Sequence, residues 1–290
     1  MTRPPLSVVI ATKDRPEQLA SCLDRLRPQL GPDDEIVVVD SASRGEQTGH
    51  VALGAGATLL RAQRPGTSLA RNLGWRSARH DRIAFIDDDI RVDSGWADTM
   101  SNALAPQDSA WVTGWIGLER FGGGARHLNP TMLGEAPARL DRQHRGTMGA
   151  SANFGARREV LSAVGGFDER FGPGRWTAAA EDVELFDRLL LAGFIGSYDP
   201  SVRVFHEQWR TPRAGFRLQW RYGLGMGARI ARLARRDRRR IRHEVYDIVW
   251  ADGIHAAGRC LRVHYEMGAA LILTRVLGMF IGFFAWVVRP

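Results

Sequence analysis

The sequence predicts an α/β fold, a mainly parallel sheet flanked by helices, and three observations predict it. Short apolar, β-rich runs alternate with helical periodicity through the first hundred residues. Strands alternating with helices imply parallel pairing. The runs stop on polar or acidic residues, where a parallel sheet opens its ligand crevice. At 290 residues the chain is one large domain, or one domain with an appendage, and has ample length for a core.

Taken in order, Leu6 to Ala11 reads as a buried strand. Pro16 suits the first turn of a following helix capped by Asp14, and Leu19, Cys22, Leu23, Leu26 and Leu30 give it an apolar stripe ended by Gly31-Pro32. Glu35 to Val39 is a second strand ending on Asp40, and Thr58 to Leu60 a short third. Gly66 to Trp75 opens a second helix, and Ile83 to Ile86 is a fourth strand. After Ala110 the pattern changes. Trp111 to Leu118 and Gly149 to Gly155 read as strands, Phe121 to His127 as a mobile glycine-rich loop, and Gly165 to Gly174 as a long turn-rich connection. Glu181 and Asp182 head a helix through Leu191, closed by Gly193. Acids in a first turn favour the helix dipole, so capping alone explains that pair.

The fourth strand ends on Asp87, Asp88 and Asp89. Three adjacent carboxylates repel one another unless a cation sits among them. Hard oxygen ligands suit Mg²⁺ or Mn²⁺, and such an ion usually also holds substrate phosphates. A solvated acidic turn and a receiver-type phosphorylation site are the other readings of this stretch.

The order of the pieces resembles the family-two glycosyltransferases, over about residues 6 to 207. The motifs are Ser7-Val-Val-Ile-Ala-Thr12, Val37-Val-Val-Asp40, Ser68-Leu-Ala-Arg-Asn-Leu-Gly74, Asp87-Asp-Asp89, Gly165-Gly-Phe-Asp-Glu169, Glu181-Asp182 and His206. Each alone is weak, and seven in order are specific. The resemblance implies a GT-A fold, a Rossmann-like mixed sheet that binds a nucleotide sugar. It makes residues 1–207 the catalytic domain, with a nucleotide-binding half to about residue 110 and an acceptor half over 111–207. Residues 208–290 are then a helical extension. It implies that Thr12, Asp14, Asp40, Arg71, Asp87 and Asp88 line the nucleotide sugar, and that Asp87, Asp89 and His206 hold the metal, Mn²⁺ or Mg²⁺. Asp88, facing the other way in a strand-like register, is the hardest to place. Asp182 becomes the base, with Glu181 as the alternative. Glu184, two residues beyond Asp182, points away on a helix. Trp176 suits stacking on an acceptor or simple packing. Family-two members generally invert, which needs one base and no protein nucleophile.

The charge sits in one segment. The formal net charge is +8, and Lys13 is the only lysine. Twelve arginines and one acid, Asp237, lie between Arg210 and Arg242, so the rest of the chain is mildly acidic. On a helical wheel, Arg213, Arg217, Arg221, Arg229, Arg232 and Arg236 fall on one half. Phe216, Trp220, Tyr222, Met226, Ile230 and Leu233 fall on the other. Such a helix suits an anionic membrane surface. No base-reading module accompanies the charge, so no nucleic-acid partner is expected. Met267 to Val288 carries one charge, Arg275, and is long enough to span a bilayer. Its apolar residues favour insertion by roughly 3–7 kcal/mol and the arginine opposes by about 2.5–3.5 kcal/mol. Membrane contact through 213–242 and 267–288 is therefore expected, with the catalytic domain at the cytoplasmic face.

Cys22 and Cys260 form no framework, and Met1 to Pro5 leads straight into a strand, so a reducing compartment without a secretory leader is expected. The functional expectation is an inverting, metal-dependent transferase. It takes a sugar from a nucleoside-diphosphate donor, UDP-linked by preference, to a hydroxyl of a lipid-linked saccharide or cell-surface glycan. A soluble small-molecule or peptide acceptor is the alternative, and a non-catalytic nucleotide-sugar binder is the non-enzyme one.

Overall fold

A computed structural model of the chain describes residues 3–105, 109–119, 132, 134–144, 147–207, 212–237, 241, 245–246, 249, 253–262 and 266–288. The chain divides into two compact units. One is Met1–Glu169 with Leu185–Gln208, and the other is Arg170–Glu184 with Trp209–Pro290.

The first unit is built on a sheet of nine strands: β1 (Leu6–Thr12), β2 (Glu35–Asp40), β3 (Thr58–Arg61), β4 (Arg82–Asp87), β5 (Ile90–Val92), β6 (Trp111–Glu119), β7 (Ala138–Leu140), β8 (Asn153–Arg157) and β9 (Gly196–Glu207). Their order is β3-β2-β1-β4-β8-β6-β9-β5, with β7 also on β9. β1 to β4, β6 and β9 run one way, and β5, β7 and β8 run against them. The helices are α1 (Pro16–Leu26), α2 (Gln47–Gly54), α3 (Thr67–Ser77), α4 (Trp96–Ala103), α5 (Arg158–Val164) and α6 (Glu181–Leu191), the last beginning in the second unit.

β1, β2 and β4 are buried nearly end to end, which is why their sequences are continuous apolar runs and not alternating ones. The expected stripe of α1, Leu19, Cys22, Leu23 and Leu26, is buried against them. α3 reaches β1 and β2 through Gly74, where a Cβ would lie 2.4 Å from Val9 Cγ1. On the β8 side an aromatic stack continues the core: Phe85 lies 5.6 Å from Phe154, and Phe186 lies 5.1 Å from Trp111.

Two sequence expectations need correction. Asp14 does not cap α1. The residue before the helix is Arg15, and no side chain caps it. Asp14 takes φ 54° and turns its carboxylate to the Arg44 amide instead. The strand expected from Gly149 begins only at Asn153, because Gly149 adopts φ +126° against Thr113. The loop expected over Phe121 to His127 lies outside the described residues. α2, α4, α5, β5 and β7 had no counterpart in the sequence reading.

The second unit holds α7 (Pro212–Ala234), α8 (Ala256–Arg262), α9 (Glu266–Val288) and the segment Arg170–Glu184. Glycines join α7 to α9. A Cβ on Gly227 would lie 2.0 Å from Met279 O, one on Gly223 2.2 Å from Arg275 O, and one on Gly282 2.1 Å from Leu224 O. The two backbones touch because these positions have no side chain, the small-residue packing familiar between membrane helices. Trp286 is buried against Phe171, at 4.9 Å between rings, and the Arg170 guanidinium lies 4.8 Å over it. The arginine face expected on α7 is not uniformly outward. Arg229 is 4 % exposed, and Arg232 pairs with Glu184 at 3.2 Å. Arg217 and Arg221 are exposed.

Candidate active site

The acids of the fourth strand meet at the C-terminal end of β4. Pairing with β1 sets Asp87 opposite Ala11, so the loop leaving β1 lies beside them. β5 then turns back along β9, with Ile90 opposite His206, and the Glu207 amide donates to Asp89 O at 2.9 Å. That pairing brings a histidine more than a hundred residues away onto the acidic turn. Asp87, Asp89 and His206 each offer one ligand atom, all within 4.8 Å of one another. His206 Nδ1 stands 3.5 Å from Asp89 Oδ1, and both side chains are almost wholly buried. Two carboxylates and one imidazole form a hard, mixed donor set that fits Mn²⁺ or Mg²⁺.

Arginines balance the charge of the group. Arg71, on α3, is 2 % exposed and donates from Nη2 to Asp87 Oδ1 at 2.6 Å, with its guanidinium 5.4 Å over the Phe167 ring. Burial alone would raise the Asp87 acid, but Arg71 first, then His206 and Arg15, hold it below the ordinary carboxylate value. Asp88 lies one residue past the end of β4. Thr12 Oγ1 and Arg15 Nη1 both donate to it at 2.8 Å. Burial still pushes Asp88 up to about 6, against the pull of Arg15. Arg15 Nη1 also lies 3.7 Å from Asp89 Oδ2.

The loops after β1 and β2 are latched together. The Asp14 amide donates to Ser43 Oγ, the Ser43 amide to Asp40 Oδ1, and the Arg44 amide to Asp14 Oδ1, each at 2.8 Å. Arg61 Nη2 donates to Ser43 O, and Lys13 Nζ to Ala42 O at 3.2 Å. Ala42, like Asp14, takes a positive φ, a conformation held by these bonds and uncommon outside glycine. One Asp40 oxygen thus caps the turn, while the other faces Arg61 at 3.7 Å.

Asp182 and Glu181 belong to the second unit, in the first turn of α6. Asp182 is half-buried, and its Oδ1 accepts from the Val183 amide at 2.8 Å. Glu181 is 8 % exposed. Glu184 pairs with Arg232 at 3.2 Å.

The chain matches the model of glycosyl transferase family 2 over residues 7–165, more than half its length. It belongs to that family. It is 26 % identical over 213 residues to the pre-mycofactocin glycosyltransferases of two Mycobacterium tuberculosis strains, covering 70 % of this chain and 42 % of theirs. The chain therefore spans under half the length of those curated relatives. In three dimensions it is similar to the mannosyltransferase PcManGT from Pyrobaculum calidifontis, solved with GDP-Man and Mn²⁺, with TM-score 0.66, 18 % identity, and coverage of 97 % of this chain and 88 % of that one. It is also similar to GalNAc-T7, solved with UDP, GalNAc and Mn²⁺, with TM-score 0.55, 17 % identity, and coverage of 72 % and 45 %. The fold is GT-A, as the motifs implied.

Within this family 2 chain, the geometry unites Asp87, Asp89 and His206, links Thr12 to the group through Asp88 and Arg71 through Asp87, and holds Asp14 and Asp40 in one latch through Ser43. Sequence reasoning missed Arg15 and Ser43. The signal for Arg15 was available: it lies just past β1, and a central strand next to β4 must deliver its loop to the same crevice. Ser43 sits three residues past Asp40, the spacing at which a turn amide reaches a preceding carboxylate.

Proposed function

We propose that this glycosyltransferase moves a sugar from a nucleoside-diphosphate donor, UDP-linked by preference, to an acceptor hydroxyl with inversion at the anomeric carbon. The observation that carries the reading is the convergence of Asp87, Asp89 and His206 at one strand end. PcManGT and GalNAc-T7, which share the fold, were solved with Mn²⁺ and nucleotide or nucleotide sugar, which supports the same ligands here.

In this reading Asp87, Asp89 and His206 hold a divalent cation, and Arg71 keeps Asp87 ionised to do so. Bound there, the ion neutralises the charge that develops on the leaving diphosphate. The latch of Asp14, Ser43 and Asp40 presents carboxylate and backbone groups to the base and ribose. Asp182, with Glu181 as the alternative, accepts the acceptor's proton as its oxygen bonds to the anomeric carbon. The bond from that carbon to the diphosphate oxygen breaks in the same step, and the nucleoside diphosphate leaves with the electron pair.

The proposed acceptor is a lipid-linked saccharide or cell-surface glycan, at the cytoplasmic face of a membrane. Supporting it, α9 is long and apolar enough to cross a membrane by length and composition, and it leaves Leu273, Leu277, Phe280, Ile281, Phe284 and Val287 exposed along one side. A second reading follows the name of the curated relatives, with pre-mycofactocin or a similar acceptor instead.

Donor hydrolysis across a panel of nucleotide sugars, with Mn²⁺ or with EDTA, tests the proposal. Metal-dependent turnover that disappears in Asp89→Ala is expected. Turnover unaffected by EDTA would overturn it.

A further inference from the structure

The second unit contains a cleft of about 440 Å³, within the usual range of small-ligand sites. Among the described residues its lining holds the arginines Arg175, Arg217 and Arg221 and the indoles of Trp176 and Trp220, and none of those lining residues is an acid. Arg217 and Arg221 stand four apart on α7, so they share one helix face about 5–6 Å apart at Cβ. Further along the same helix Arg232 pairs with Glu184, but among the described residues no acid lines the cleft beside Arg217 and Arg221. Trp176 stacks on Trp286 at 6.2 Å yet remains 45 % exposed, leaving part of the indole open. Ala178, on the wall, holds φ 59°, a strained conformation of the kind kept at ligand sites.

We propose that this cleft binds the phosphate or diphosphate of a phosphorylated acceptor. A multiply charged anion matches the neighbouring charges of Arg217 and Arg221 where a single carboxylate would leave charge unbalanced. Arginine's planar fork grips phosphate oxygens in pairs. The open indole suits the group next to the phosphate, a sugar ring or a hydrocarbon chain. The cleft is tied to the acceptor, as against the donor, by the chain itself: Asp182, the base of the function proposed above, follows Ala178 by four residues in the same unit. The inference deepens that function and rests on it for the word acceptor.

The test is a calorimetric titration in EDTA, which removes metal-dependent donor binding. The probes are inorganic pyrophosphate and dodecyl phosphate below its micelle concentration. Saturable binding by the wild type is expected, weakened at least tenfold in Arg217→Ala/Arg221→Ala. Arg235→Ala/Arg236→Ala, an equal charge change at exposed sites beyond the cleft, should stay within twofold. If alanine lowers the melting temperature, glutamine at both positions replaces it. Tighter binding of dodecyl phosphate supports a lipid-linked source, and equal binding a free phosphorylated one. No saturable binding by the wild type, binding within twofold in the cleft variant, or an equal loss in the control overturns the proposal. Donor hydrolysis with water as acceptor, measured on the same variants, should be unchanged. If the wild type hydrolyses no donor, the transferase reading fails while the titration still judges the cleft.

Discussion

The two units of this family 2 chain bring chain segments together by opposite means. In the first, distant side chains meet at the strand ends, where arginines pair with acids, Arg71 on Asp87 and Arg15 on Asp88, and strand pairing sets His206 beside Asp89. In the second, α7 and α9 meet because side chains are missing, at Gly223, Gly227, Gly278 and Gly282. The first arrangement keeps buried carboxylates together, at a cost in repulsion that a bound cation would relieve. The second is settled by volume and is indifferent to ions. Substitutions in the two units should therefore separate activity from stability.

The largest effect is expected from Asp89→Ala. It removes one proposed metal ligand, and metal-assisted turnover should fall by roughly 10³-fold or more. The same change relieves acidic repulsion, so the melting temperature in metal-free buffer should hold or rise. A large drop in melting temperature would show that the carboxylates stabilise the empty fold. Asp182→Asn should lower transfer by about 10²-fold or more while donor affinity, read by thermal shift with Mn²⁺, stays unchanged. Full transfer by that variant would move the base to Glu181.

Gly227→Leu attacks the other principle. A side chain there meets the α9 backbone at Met279. The expected cost is about 3 kcal/mol, seen as a lower melting temperature, with Mn²⁺ binding kept. Retained stability would mean that the two helices separate freely.

The smallest effect concerns Asp88, whose folded value of about 6 lies above the ordinary 3.8 because of burial. As pH rises between those values, the unfolded chain gives up this proton first, so the folded state holds more protons and stability falls. Below the window the group contributes nothing, and above it the whole penalty is present. Asp88→Asn should flatten that fall by up to about 1 kcal/mol per pH unit in metal-free thermal melts. Identical pH profiles for the two proteins would sink the assignment of the burial penalty.

Much of this was legible in the residues. β1, β2 and β4 are covered on both faces, so their apolar runs were unambiguous. α6 begins and ends where its acids and Gly193 say. The metal group was legible only through motif order, since nothing local tells His206 that its partner is Asp89. The three-residue β5 makes that introduction, and it is too short to leave a pattern. α2 buries only Thr48 and Ala52, too little for an apolar stripe. The glycines of α7 leave no local signal, because their role appears only where α9 packs against them. The membership of Arg170–Glu184 in the second unit depends on contacts far along the chain, which composition does not encode.

The lysine content has a practical consequence. Lys13, the one lysine among forty basic residues, sits on the latch joining the loops after β1 and β2, bonded to Ala42 O and paired with Asp14, with 38 % of its side chain exposed. Amine-selective reagents have a single lysine target in 290 residues, and in the proposed function it borders the nucleotide site. Under the proposed function, a fluorophore attached there would give an optical readout of donor arrival, with no engineering of the sequence.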